Sequence, residues 1–224
     1  MATIATAAER AGVSGNKLEY KGVFPANPIP VRADGRINEE ALRAIFEENL
    51  AHGVDGFWVA GSTGEGPVMS DQQREATARV AGETISGKGL SIMHVGAIST
   101  ESAVKGAKAA KESGCDAVCC VPPFFFRASD ETVIEHYKRV ADAADGLPFF
   151  VYNLPQLTQV ETNPPLMEKI VKNVPNVMGL KHSAVNFSDI RIFADMGLKC
   201  FSGNGTLPLP ALTMGAVGTV DAPL

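Results

Sequence analysis

Short apolar runs alternate with longer amphipathic stretches from Gly22 onward, and the runs lie near 22–31, 56–61, 91–96, 117–122, 148–153, 177–182, 199–203 and 216–222. Runs of this length, apolar on both alternating faces, read as strands covered on two sides. The stretches between them, about 10 to 15 residues each, carry helical spacing, which is the pattern of parallel strands joined by crossover helices. The clearest is 130–144, where Val133, Tyr137, Val140 and Ala144 fall on one stripe with Ile134 and Ala141 beside it. That period is about 3.6, not 2, and predicts a helix. Helix starts carry matching chemistry: Ser70 with Gln73 reads as a capping box, and Asn163 puts a cap residue ahead of Pro164. Helical pattern follows each of the first seven runs, and the eighth has none after it.

Such a series builds either a doubly wound open sheet or a closed barrel. An open nucleotide-binding sheet wants a G-x-G-x-x-G turn after its first strand, and none follows 22–31. The sequence therefore predicts an α/β fold, a (β/α)8 TIM barrel over 22–224 that stops after strand eight. A disordered extension is expected over 1–21, with a processed transit segment as the alternative. In a barrel of this kind the chemistry sits on loops at the carboxyl ends of the strands.

Composition narrows the partners. With 45% apolar and 20% charged residues in 224, the chain can bury one sizeable core. Its formal charge of -5 gives no general attraction to phosphate backbones or anionic lipid, so no nucleic acid and no membrane is expected, and a small molecule is. No run approaches the roughly 18 apolar residues of a membrane span. Cys115, Cys119, Cys120 and Cys200 lack C-x-x-C spacing and read as reduced core thiols of a cytoplasmic protein, Cys119 and Cys120 facing opposite ways on one strand. His52, His94, His136 and His182 show no ligand spacing, so no metal is expected.

Chemistry concentrates at three strand ends. Gly61-Ser62-Thr63-Gly64-Glu65 combines glycines that admit a ligand close to the backbone, hydroxyls that donate, and a following helix start that favours an anion. Tyr152 ends the fifth run and shares a face with Phe150 and Pro148; Lys181 ends the sixth and shares one with Gly179 and Val177. If those faces point inward, a phenol and an amine meet at the barrel mouth, with Gly179 leaving room under the lysine. Desolvation disfavours the ammonium form of a lysine and so favours the neutral amine that attacks a ketone. The residues alone leave open a lysine that snorkels out of the mouth or pairs with Glu65.

Gly61 to Glu65, Tyr152-Asn-Leu-Pro155 and Gly179-Leu-Lys181 with Ser183 two residues beyond resemble, in order and spacing, the dihydrodipicolinate synthase / N-acetylneuraminate lyase family. The resemblance runs from about Gly22 to the last residue. It implies a homotetrameric barrel that uses pyruvate with no cofactor beyond a covalent lysine imine. Ser62 and Thr63, next to Gly61, would hold the pyruvate carboxylate, Lys181 would form the imine, and Tyr152 would relay protons. The implied reaction joins pyruvate to an aldehyde, or cleaves a 2-keto acid such as N-acetylneuraminate or a 2-keto-3-deoxy sugar acid.

Departures from the family pattern bear on the substrate. The synthases carry an arginine just after the Tyr-Asn-x-Pro turn, where this chain has Leu157, and paired tyrosines where it has Pro122-Pro-Phe-Phe-Phe126. The lyase branch is closer, with His94-Val-Gly-Ala97 and the Pro-Phe-Phe stretch in common. Yet it places an Asp-Glu pair after strand seven, where this chain has Gly205-Thr206. A less hydroxylated 2-keto acid is therefore a second expectation, with Ser183, Gly203, Thr206 and, further off, Arg127 as contacts. Other readings are a synthase-like condensation, an inactive keto-acid-binding barrel, and a phosphosugar isomerase using the glycines at 203 and 205; the last lacks a carboxylate base at either strand end.

Overall fold

The computed structural model describes residues 19–174 and 176–222. Strands β1 (Gly22–Val23), β2 (Gly56–Val59), β3 (Leu90–His94), β4 (Ala117–Cys120), β5 (Phe149–Asn153), β6 (Val177–His182), β7 (Lys199–Ser202) and β8 (Gly218–Thr219) form one sheet of eight. Every ladder is parallel, and β1 pairs with β8, so the sheet curls into a (β/α)8 barrel. Two backbone bonds join β1 to β2 and close the ring: Asp55 N–H to the Val23 carbonyl at 3.0 Å and Trp58 N–H to the Pro25 carbonyl at 3.1 Å.

The first strand is much shorter than the run 22–31 suggests. Pro25, Pro28 and Pro30 have no N–H to give a ladder. Pairing beyond Val23 is limited to Phe24 and Ala26, whose N–H groups reach the carbonyls of Thr219 and Asp221 at 3.0 Å each. The chain then folds back on itself through an antiparallel bridge between Val31 and Ile37. Most of the expected extension over 1–21 lies outside the described residues. Its last part belongs to the barrel: the Tyr20 ring sits 5.2 Å from Phe150 and its hydroxyl donates to the Asp116 carbonyl at 2.8 Å.

Helices α1 (Glu39–Ala51), α2 (Asp71–Ile85), α3 (Thr100–Glu112), α4 (Asp130–Ala143), α5 (Pro155–Thr158), α6 (Pro164–Asn173), α7 (Asp189–Asp195) and α8 (Pro208–Thr213) follow the first seven strands. The fifth crossover contains both α5 and α6. The start signals hold. Ser70 and Gln73 exchange both bonds of a capping box, and the Asn163 side chain accepts from the Leu166 N–H ahead of Pro164 and Pro165. Val133, Tyr137 and Val140 of α4 are buried, as the stripe predicts.

Strand alternation divides the core in two. Phe24, Trp58, Ile92, Cys119, Phe150 and Phe201 fill the lumen, with Phe24 edge-on to Phe201 at 4.9 Å between ring centres. Phe57, Val59, Met93, Val118, Cys120 and Leu180 point outward into the helical layer. Cys119 and Cys120 do face opposite ways, and the four thiols are free and buried. A fully buried side chain of this size is worth roughly 1.5–3 kcal/mol. The lumen is therefore a packed plug on which the strand ends are held, and not a channel.

Candidate active site

Tyr152 and Lys181 are direct neighbours in the β5–β6 ladder, with their side chains above the lumen plug. Lys181 is 4% exposed, and its Nζ lies 4.7 Å from the centre of the Tyr152 ring and 5.7 Å from that of Trp58. An ammonium over aromatic faces is favourably placed without a carboxylate. No ion pair among the described residues involves Lys181. Neither alternative left by the sequence survives: the side chain is buried and does not snorkel, and Glu65 is exposed on its own left-handed turn at φ 55°.

Room for the lysine comes from Gly203, not Gly179. A Cβ on Gly203 would stand 2.9 Å from Lys181 Cε and would overlap the Ser183 hydroxyl. A Cβ on Gly179 would instead strike the Lys199 backbone, so that glycine serves the close approach of β6 to β7.

The loop after β2 reaches the same place. Ser62 Oγ is 3.2 Å from the Tyr152 hydroxyl, and a Cβ on Gly61 would lie 4.0 Å from the Tyr152 ring. The turn is tight: Glu65 N–H donates to the Ser62 carbonyl and Gly66 N–H to that of Gly61, both at 3.1 Å. Among the described residues nothing accepts from the N–H groups of Ser62, Thr63 and Gly64, which leaves them for an anion. The expected helix start follows within a few residues, first as a single 3-10 turn, Gly66–Val68, and then as α2, whose own cap is satisfied by Ser70 and Gln73.

Of the remaining expected contacts, Ser183 lies beside Gly203, its hydroxyl 3.4 Å from that residue's carbonyl. Thr206 is drawn away: it is exposed, and its hydroxyl donates to Asn204 Oδ1 at 2.7 Å. Arg127 is exposed on the loop after β4. Behind the site, Asn153 donates to His182 Nδ1 at 3.2 Å, and His182 Nε2 faces the Asn186 carbonyl at 3.0 Å. Burial lowers the pKa of this histidine, keeping it neutral as the link between two loops.

Next to Tyr152 opens a cavity of about 160 Å³ bounded by Pro67, Val121, Phe124, Leu154 and Leu157, with Ser62, His94 and Thr158 also on its wall. His94 follows Leu90 and Ile92 on the inward face of β3, a placement that the period-2 alternation could have found. It is fully buried, which depresses its pKa to about 3, and its ring stands perpendicular to Tyr152 at 5.9 Å.

A model described as the dihydrodipicolinate synthetase family matches residues 19–223. The chain belongs to this family. N-acetylneuraminate lyase of Citrobacter koseri is 38% identical over 166 residues, 74% of this chain and 56% of that protein. A solved sialic acid aldolase of Ruminococcus gnavus superimposes with a TM-score of 0.86 at 29% identity, covering 91% of this chain and 68% of that one. A dihydrodipicolinate synthase from Aquifex aeolicus gives 0.83 at 28% identity, with 89% and 68% covered. The chain thus spans a little over half the length of the curated lyase. Within the family frame, Leu157 stands at the rim of the cavity, 64% exposed, on the turn where the sequence departs from the synthase pattern.

Proposed function

We propose that the protein is a pyruvate-dependent class I aldolase, a carbon–carbon lyase, working through an imine on Lys181. The observation that carries this reading is the buried Lys181 amine packed on Tyr152, whose hydroxyl meets Ser62. Ser62, Thr63 and the open N–H groups of their turn hold the keto-acid carboxylate. Lys181 adds to the keto carbon and water leaves, giving an iminium. The iminium acts as an electron sink: the methyl carbon loses a proton to water, its C–H pair becomes the enamine double bond, and the enamine adds to an aldehyde; the reverse order cleaves a 2-keto acid to pyruvate. Tyr152 gives a proton to the new alkoxide, or takes one in cleavage, at hydrogen-bond distance. The names of the relatives support the lyase direction and make N-acetylneuraminate a first compound to assay. The protein works as a homo-oligomer, a reading supported by the exposed Ile98, Phe125 and Phe126 on the loops at this end of the barrel.

Borohydride reduction with pyruvate tests the reading. The expected product is a stable adduct on the peptide that contains Lys181, absent in Lys181→Ala. Turnover of any 2-keto acid by Lys181→Ala at the wild-type rate rejects it.

A further inference from the structure

The cavity beside Tyr152 lacks what a sugar tail requires. Its side walls are the carbon surfaces of Pro67, Val121, Phe124, Leu154 and Leu157. The few polar groups on the remaining wall serve the keto-acid end or the backbone. Ser62 and Tyr152 share a hydrogen bond at 3.2 Å, and the Thr158 hydroxyl lies 3.0 Å from the Leu154 carbonyl. His94 Nδ1 is 3.0 Å from the Ala60 carbonyl, and its Nε2, which has no partner, is buried out of solvent reach. A polyhydroxylated chain placed here would bury hydroxyls without partners, each weakening binding about tenfold or more. An apolar group loses nothing, and a dry apolar cavity of about 150 Å³ is known to hold a benzene ring. The cavity here, at about 160 Å³, matches that size.

We propose that this cavity receives the side chain of the aldehyde, and that the aldehyde is apolar: aromatic or branched aliphatic, with about six side-chain carbons. The proposal rests on the aldolase reading above. In the forward direction the former methyl carbon of pyruvate, now the nucleophilic enamine carbon, bonds to the aldehyde carbon. The carbonyl π pair moves to oxygen, which takes the Tyr152 proton. Water then hydrolyses the iminium, releasing the Lys181 amine and a 4-hydroxy-2-keto acid whose apolar group stays in the cavity until release.

Two measurements on the intact protein test this. Saturation-transfer NMR compares benzyl alcohol, which cannot react, with N-acetylmannosamine. Benzyl alcohol is expected to bind at least tenfold more tightly, and Leu157→Arg, a change at an exposed position, to weaken it several-fold while the circular dichroism spectrum is unchanged. Condensation of pyruvate with benzaldehyde, isovaleraldehyde and N-acetylmannosamine is followed alongside. The apolar aldehydes are expected to show kcat/KM at least tenfold above the sugar. Equal or tighter binding of N-acetylmannosamine, or its preferred turnover, overturns the proposal even when the borohydride adduct forms. If no adduct forms, the aldolase reading fails by itself, and the benzyl alcohol measurement still decides the character of the cavity.

Discussion

His94 on β3 holds the carbonyl of Ala60 at the end of β2, with Nδ1 3.0 Å from the oxygen. A carbonyl only accepts, so Nδ1 carries the hydrogen and Nε2 the lone pair. Ala60 has φ 55°, a conformation costing an alanine about 1–2 kcal/mol, and a Cβ on Gly66 would overlap the same carbonyl. The histidine bond and the glycine contact together keep this turn, and Gly61, Ser62 and Thr63 follow directly from it. His94→Phe keeps the ring but loses the bond, and is expected to slow trapping of the pyruvate adduct about tenfold. His94→Asn, whose amide can donate to the same carbonyl, should recover most of that loss. Equal rates in the two variants would show that the bond is irrelevant.

Tyr152→Phe separates packing from proton transfer. The ring over Lys181 remains, whereas the hydroxyl bonded to Ser62 is lost. Proton transfer by a placed side chain is typically worth about 10²–10⁴ in rate. Pyruvate release should fall by at least a hundredfold, with the borohydride adduct still detectable by mass spectrometry.

Gly203→Ala tests the space around the amine. The added methyl would overlap the Ser183 hydroxyl and crowd Lys181 Cε at 2.9 Å. Adduct formation is expected to fall more than tenfold while the thermal midpoint drops by only a few degrees, about 1–2 kcal/mol for a local clash.

Acid should destabilise the fold through histidines that it buries neutral. Burial lowers the pKa of His94 to about 3 and of His136 to about 4; His136 is wedged between Thr100 at 2.9 Å and Cys120 at 3.3 Å. An unfolded histidine titrates near 6.5. Between those values the unfolded chain binds protons that the folded chain refuses. Their stabilising contribution is whole above about pH 6.5 and declines as the pH falls toward the folded values, by about 1.4 kcal/mol per pH unit for each. Urea midpoints at pH 7.5 and 5.5 should differ accordingly, and His136→Gln should flatten the slope. A midpoint independent of pH over that range would contradict this.

Much of the barrel and of the Tyr152–Lys181 pair is legible in the chain because local periods report them. Counting by twos from Phe150 and Gly179 puts Tyr152 and Lys181 on inward faces, where the ladder holds them side by side. Caps at Ser70 and Asn163 fix two helix starts. What escapes the sequence depends on contacts between segments. Gly179 reads as space for a lysine until the Lys199 backbone is seen against it, and the bond from the Thr206 hydroxyl to Asn204 likewise leaves no trace in the local pattern. The cavity is assembled from three loops and strand ends, Pro67, Val121 with Phe124, and Leu154 with Leu157, so no single stretch displays it.

The prolines of the first strand make the barrel unequal around its circumference. On one side the wall is a seam, fastened at Asp55 and Trp58 outside any regular ladder. On another, past a bulge at Phe149, β5 and β6 are joined in register from Phe150 with Gly179 to Asn153 with His182, and Tyr152 and Lys181 sit within that join. Breathing of the wall should therefore concentrate at the seam, with the amide protons of Val23, Phe24 and Ala26 expected to exchange before those of β5 and β6. The β5–β6 join is spared, so that Lys181 and Tyr152 keep their spacing while the rest of the cylinder flexes.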